Sequence, residues 1–270
     1  DLRDVSGKAQ TVVTPKNKKA HEIANKLRSE WVIEILGKIN KRPEKMLNKD
    51  EENGDIEIEA MEIKVLNEAD IPFEKDAEVN LDTYLDNLPL TLRTKKSKAI
   101  FKVQAEIINS FRSFLLKEGF TEIQAPKIIG EDAEGGANSF NVDYFGRVAH
   151  LAQSPQFYKQ IMVGVFERVF TTGNVYRAEK HSTTRHLNEY TSLDFEMGFI
   201  KDHTNIMRME NELLAFIVGQ LQKNCQKEFE LLKAEIPDVP AEIPSLKLRE
   251  AQGVVKKEFG KDCAGAPDLD

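Results

Sequence analysis

The chain has 270 residues, 40% of them hydrophobic and 31% charged, with a formal net charge of −7. That is enough chain for one or two domains with cores of their own, and no apolar run approaches the roughly 18–20 residues that span a bilayer. The acidic balance excludes a generally basic nucleic-acid coat but leaves room for a local basic patch, because phosphate contacts depend on where Lys and Arg lie. The two cysteines, Cys225 and Cys263, have no paired metal spacing, and Asp1-Leu2-Arg3-Asp4 is not a signal peptide. Free thiols in a reducing cytoplasm fit best, with no membrane segment.

Residues 1–14 read as a strand edge, a turn at Ser6-Gly7 and a second strand ending at Pro15. Residues 16–30 carry helical spacing through Ala20, Ile23, Ala24 and Leu27. "WVIEILGKIN" is strand-like, and "IEIEAMEIKVL" (56–66) alternates in period two with a phase slip near Ala60-Met61 that predicts a bulge. Short strands with one inserted helix suggest a small Greek-key barrel such as an OB-fold, although any small β-rich domain fits the pattern equally well. The stretch 70–97, with Pro72, Pro89 and the basic cluster Arg93-Thr94-Lys95-Lys96, reads as a connector.

A long amphipathic helix is predicted over 98–119, with Phe101, Gln104, Ile107, Ile108, Phe111, Phe114 and Leu115 at helical spacing and Gly119 as its C-terminal cap. "FTEIQAPKI" follows as a strand stopped by Pro126, and 147–152 is another short strand. Ser154 and Pro155 predict a helix start, with Ser as N-cap and Pro at the first helical position. "RVFTTGNVYR" and "YTSLDFEMGFI" make a long antiparallel hairpin around a charged loop, and helices are expected at 204–223 and 246–259. The second half therefore reads as α+β with an antiparallel sheet.

The loop of that hairpin raises the question of function. Residues 175–199 crowd basic residues, histidines and acids between two apolar strand edges. Either this is a solvated, salt-bridged face, or it grips a ligand that itself carries several charges. The pattern Tyr176-Arg177-Ala178-Glu179, then Arg185-His186-Leu187, then Tyr190 resembles motif 2 of class II aminoacyl-tRNA synthetases. "FRSFLLKEGFTEIQAPKI" (111–128) resembles motif 1, their dimer-forming element, with Pro126 at its characteristic proline. "AEGGANSF" (133–140) and "LAQSPQFYKQ" (151–160) look like the amino-acid pocket of the aspartyl-tRNA synthetases, and 2–10 and 54–63 resemble their anticodon-binding OB domain. The loop wording is closest to the archaeal and eukaryotic style, and the resemblance covers almost the whole chain.

The resemblance implies an α+β protein with a partial OB-fold over 1–75, a hinge over 76–97 and a partial class II catalytic domain over 98–270. It implies activation of L-aspartate with ATP and Mg2+ to an aspartyl-adenylate, then transfer to the 3′ end of tRNA(Asp). The attacking carboxylate is already ionised at neutral pH, so catalysis reduces to positioning and charge neutralisation. By resemblance Arg177 bridges the substrate carboxylate and the α-phosphate, where its planar fork suits oxygen pairs. Glu179 orients the adenine end or the tRNA terminus, Arg185, His186 and Leu187 belong to the ATP site with the first two on the outer phosphates, and Tyr190 stacks under adenine where the family usually has Phe. Lys159 pairs with the aspartate side chain beside Gln156, Glu134 takes the ammonium, and Asp194 and Glu196 add ammonium or water-mediated contacts. In the OB domain Arg3, Gln10 and Glu57 fall where the family reads anticodon bases.

Motif 3 of the family, its C-terminal magnesium-holding acid and its second aspartate-binding arginine have no counterpart in the 270 residues. The expectation is a fragment truncated at both ends, lacking a metal site of its own and inactive alone, whose full protein forms a homodimer through the Pro126 region. The other readings are an enzyme that charges both tRNA(Asp) and tRNA(Asn), an asparaginyl-tRNA synthetase, an asparagine synthetase of the same fold, and a non-catalytic tRNA-binding paralogue.

Overall fold

A computed structural model describes residues 1–49, 51, 53–131, 139–180, 183 and 186–269. The chain divides into two compact units, Asp1–Thr94 and Lys95–Asp270.

In the first unit, β1 (Leu2–Arg3), β2 (Lys8–Val12), β3 (Val32–Lys41) and β4 (Ile56–Asn67) form one sheet in the order β1-β2-β4-β3. The β2–β4 contact is parallel and the other two are antiparallel. The pairing skips from Leu36↔Glu62 to Gly37↔Ala60, so Met61 is the extra residue at the predicted phase slip. Gly37 is required there, because a Cβ would stand 2.6 Å from the Glu59 carbonyl oxygen. Helix α1 (Lys18–Ala24) starts where the Asn17 side chain accepts from the Ala20 amide at 3.3 Å, and it is shorter than its periodicity suggests. The chain leaves the helix at Asn25 and turns through Glu30 at φ 65 to enter β3. Leu27 still packs on the small core of Ala20, Ala60 and Ile63, but from a turn. Helices α2 (Leu81–Asp86, capped by Asn80) and α3 (Leu88–Thr91) occupy part of the stretch that reads as a connector.

The second unit opens with α4 (Lys95–Lys117), which starts three residues before its apolar periodicity and ends at Gly119, φ 80. Proline 126 divides the expected strand into β5 (Thr121–Glu122) and β6 (Ile128–Ile129), which belong to different sheets. β6 joins β7 (Asn141–Tyr144) and β8 (Arg147–Leu151) in the order β6-β8-β7. α5 (Gln156–Phe166) has Pro155 as its cap residue, and the Ser154 hydroxyl accepts from the Gln156 amide at 3.1 Å. Serine 154 thus serves the helix end from one position further back than expected. The hairpin β9 (Arg168–Tyr176) and β10 (Glu189–Met197) pairs over nine residues, with β5 added in parallel. α6 (Thr204–Asn224), α7 (Gln226–Leu232) and α8 (Leu248–Phe259) complete the unit.

Facing residues of the hairpin share a side of the sheet. Phe170 with Phe195, and Thr172 with Leu193, turn towards α4 and α6, where Phe111, Phe114, Leu115, Leu213 and Ile217 make the core. The rings of Phe111 and Phe170 meet edge to face at 5.7 Å. Alternation then commits Thr171 with Asp194, Gly173 with Ser192, and Val175 with Tyr190 to the other side.

Candidate active site

On that opposite side α5 packs against β9 and β10. Its Lys159 is buried (7% exposed), and the ammonium lies 3.3 Å from Asp194 Oδ1, 3.5 Å from Glu196 Oε2 and 3.5 Å from the Phe195 carbonyl oxygen. A buried lysine needs such partners, since an isolated ammonium in the interior is costly. The Ser192 hydroxyl donates to the other Asp194 oxygen. Helix α5 and strand β10, far apart in sequence, thus bring together three of the predicted residues, Lys159, Asp194 and Glu196.

A second lysine adjoins this cluster. Lys127 sits between Pro126 and β6, with its ammonium close over Gly173 of β9. Burial pulls that ammonium below the ordinary lysine range, and the Asp194 carboxylate opposes the shift. Neither Lys127 nor Ser192 stands out in the sequence. The available signals are period-two alternation, which puts residue 192 on the face of 194, and the position of Lys127 directly after the motif 1 proline.

Arg177 and Tyr190 lie at the loop end of the hairpin. The Arg177 amide donates to the Asn188 carbonyl at 2.9 Å, which continues the pairing one residue beyond β9. The Glu179 amide then donates to the Arg177 carbonyl at 2.8 Å, so Glu179 follows a tight turn. Within the loop the Thr183 hydroxyl and His186 Nδ1 are 2.7 Å apart, and Leu187 is exposed. Gln156 is exposed in the first turn of α5, one turn before Lys159. Glu134 and Arg185 lie outside the described residues.

In the first unit Gln10 and Glu57 are facing partners across β2 and β4. Gln10 lines a cleft of about 210 Å³ with Lys8, Arg42, Asn48, Glu51 and Asn53. Arg3 is engaged elsewhere: its guanidinium pairs with the buried Glu30 carboxylate, which Arg93 also reaches at 2.7 Å. The three anticodon candidates therefore separate into a pair, Gln10 with Glu57, and an arginine that anchors the turn before β3.

Comparison with known proteins finds relatives for both units of the chain. Residues 80–262 match the family described as tRNA synthetases class II (D, K and N), and residues 1–66 match the OB-fold nucleic acid binding domain. An aspartate–tRNA(Asp/Asn) ligase of Deinococcus radiodurans is 46% identical over 275 residues, covering 100% of this chain and 59% of that protein. An aspartate–tRNA(Asp) ligase of Pyrococcus abyssi is 36% identical and covers 100% of this chain and 61% of that protein. Among solved structures, asparaginyl-tRNA synthetase from Pyrococcus horikoshii complexed with asparaginyl-adenylate superimposes with a TM-score of 0.87 at 28% identity, over 100% of this chain and 62% of that one. Aspartyl tRNA synthetase from Entamoeba histolytica gives a TM-score of 0.79 at 25% identity, over 100% and 58% of the respective chains. The chain spans about three fifths of the length of these two ligases.

Proposed function

The chain belongs to the class II tRNA synthetases of the aspartate, lysine and asparagine group, and from that premise we propose that it forms the anticodon-domain and motif 1–motif 2 portion of an aspartate–tRNA ligase. The reaction is attack of the aspartate α-carboxylate on the α-phosphate of ATP with loss of pyrophosphate, followed by transfer of the aspartyl group to tRNA(Asp). The observation that carries this is the buried Lys159, flanked by Asp194 and Glu196 on the hairpin that ends in Arg177. The three N–H donors of this ammonium now meet three long contacts, and a substrate side-chain carboxylate suits it as a replacement for one of them. The neutral amide of asparagine would take up less of that charge, which favours the acid.

In this reading Arg177 spans the reacting carboxylate and phosphate, and its charge offsets the negative charge that builds up between them. Tyr190 stacks with adenine, while Glu179, Arg185, His186 and Leu187 shape the ATP side. Gln156 borders the amino-acid side chain, and Glu134 with Asp194 and Glu196 balances the substrate ammonium. Mg2+ accompanies ATP in this reading, and the roles assigned here are those of this chain's own side chains. Gln10 and Glu57 contact anticodon bases; Arg3, tied to Glu30, acts there by holding the turn. The protein works in the cytoplasm as a homodimer through the Pro126 region. A second reading, charging of tRNA(Asn) as well, is favoured by the Deinococcus relative, named for both tRNAs.

The test is ATP–pyrophosphate exchange by the full natural chain with aspartate, asparagine and lysine offered separately. Exchange with aspartate alone is expected. Arg177→Ala should lower it by about 10³-fold or more without unfolding the protein, and Lys159→Leu should remove aspartate use while sparing ATP affinity. Asparagine-driven exchange in the wild type would replace this reading with the asparaginyl enzyme.

A further inference from the structure

We propose that Lys127 is a second cation of the amino-acid site, a positioning residue that balances Asp194 so that the charge of Lys159 is left for the substrate's side-chain carboxylate. The assignment rests on the aspartate-activating function proposed above, and it adds a specificity determinant from outside the hairpin and α5.

The backbone fastens Lys127 in place. Its carbonyl accepts from the Ala152 amide at 2.9 Å, and the Ala152 carbonyl accepts from the Tyr176 amide at 3.0 Å. The segment after Pro126 is thereby tied to the end of β9. From there the side chain reaches over Gly173: a Cβ at that position would lie 3.3 Å from Lys127 Nζ and 3.4 Å from its Cε. Glycine at 173 leaves the space that the ammonium occupies. The facing partner of Gly173 is Ser192, whose hydroxyl holds Asp194, and Asp194 is the carboxylate whose charge Lys127 senses.

Charge balance gives the arrangement its consequence. Lys159 alone faces two carboxylates, Asp194 and Glu196, so that trio carries one net negative charge. An incoming aspartate side chain would meet net repulsion from it. With Lys127 the group is neutral, and the repulsion is relieved. A neutral asparagine side chain gains little from the same change, so the second cation weights the choice towards the acid.

The experiment is steady-state exchange kinetics on the full natural chain. Lys127→Met is expected to raise the KM for aspartate and lower the aspartate-to-asparagine ratio of kcat/KM by roughly tenfold or more, with the KM for ATP near wild type. Lys127→Arg should recover most of the ratio, which a purely packing role would not predict. Gly173→Ala, which crowds the ammonium, should shift the ratio in the same direction and add little in the Lys127→Met background. An unchanged ratio in Lys127→Met, or parallel rises in the KM for aspartate and ATP, would overturn the assignment of Lys127 alone. Absence of aspartate-driven exchange in the wild type would overturn the proposed function and this inference with it.

Discussion

Lys127, proposed above as a second cation of the amino-acid site, is held at some expense to the fold. Its ammonium is held below the ordinary lysine value of 10.5 by burial, against the pull of Asp194. The native state therefore binds this proton less tightly than the unfolded chain. Below the native pKa the partly buried charge costs stability; as pH rises through that pKa towards 10.5, the unfolded chain retains the extra proton and the cost fades. Lys127→Met should thus melt slightly above wild type at neutral pH, with the difference shrinking as pH is raised. Calorimetry across that range checks it, and a lower melting temperature at neutral pH would mean that attraction to Asp194 outweighs desolvation. Lys159, Asp194 and Glu196 were legible in the sequence because motif resemblance marks them and alternation places 194 and 196 on one face. Lys127 and Ser192 were not: Ser192 is marked only by its hydrogen bond to Asp194, and the approach of Lys127 over Gly173 arises only from tertiary contact.

At the scale of elements, regular periodicity was the dependable signal. The hairpin β9–β10, the long α4 and the bulge in β4 follow from alternation or 3.6-residue spacing, and each has a face to bury. The bulge has a stringent requirement at Gly37, where a Cβ would meet the Glu59 carbonyl at 2.6 Å and the Ile58 side chain at 2.9 Å. Gly37→Ala should destabilise the first unit by about 1–3 kcal/mol. Trp31, the chain's single tryptophan, donates to the Ala69 carbonyl at 2.9 Å within that unit, so its fluorescence in a denaturant titration reports the change. An unshifted midpoint would show that the strands can move apart to admit the methyl group. Short elements escaped the pattern. β5 and β6 are two residues each and separate at Pro126, while α2, α3 and α7 are shorter than two full turns of helix and carry too few positions to define a face.

For the whole molecule, the proposed homodimer makes a demand on the surface around Pro126. In the second unit Phe101 and Leu116 of α4 and Ile128 of β6 are each at least half exposed, the last two within the motif 1 stretch. Exposed apolar residues of this kind are suited to cover by a second copy. The full natural chain should sediment as a dimer, and Ile128→Glu should shift it towards monomer by about tenfold or more in Kd without lowering the melting temperature of the monomer. A wild-type monomer at micromolar concentration would remove the dimer from the proposal.

The sequence by itself determined the family and the α+β class, and it nominated the residues of the proposed site. Those properties reside in local order: motif residues at set spacings, and apolar positions at the period of the element they build. Only the tertiary structure decided which charges meet. Whether Lys159 faces water or two carboxylates, whether Arg3 is available to a base or held by Glu30, and whether Lys127 reaches over Gly173 depend on contacts between segments tens of residues apart. Such contacts are set by packing of whole elements, and a pattern of neighbouring residues carries no record of them.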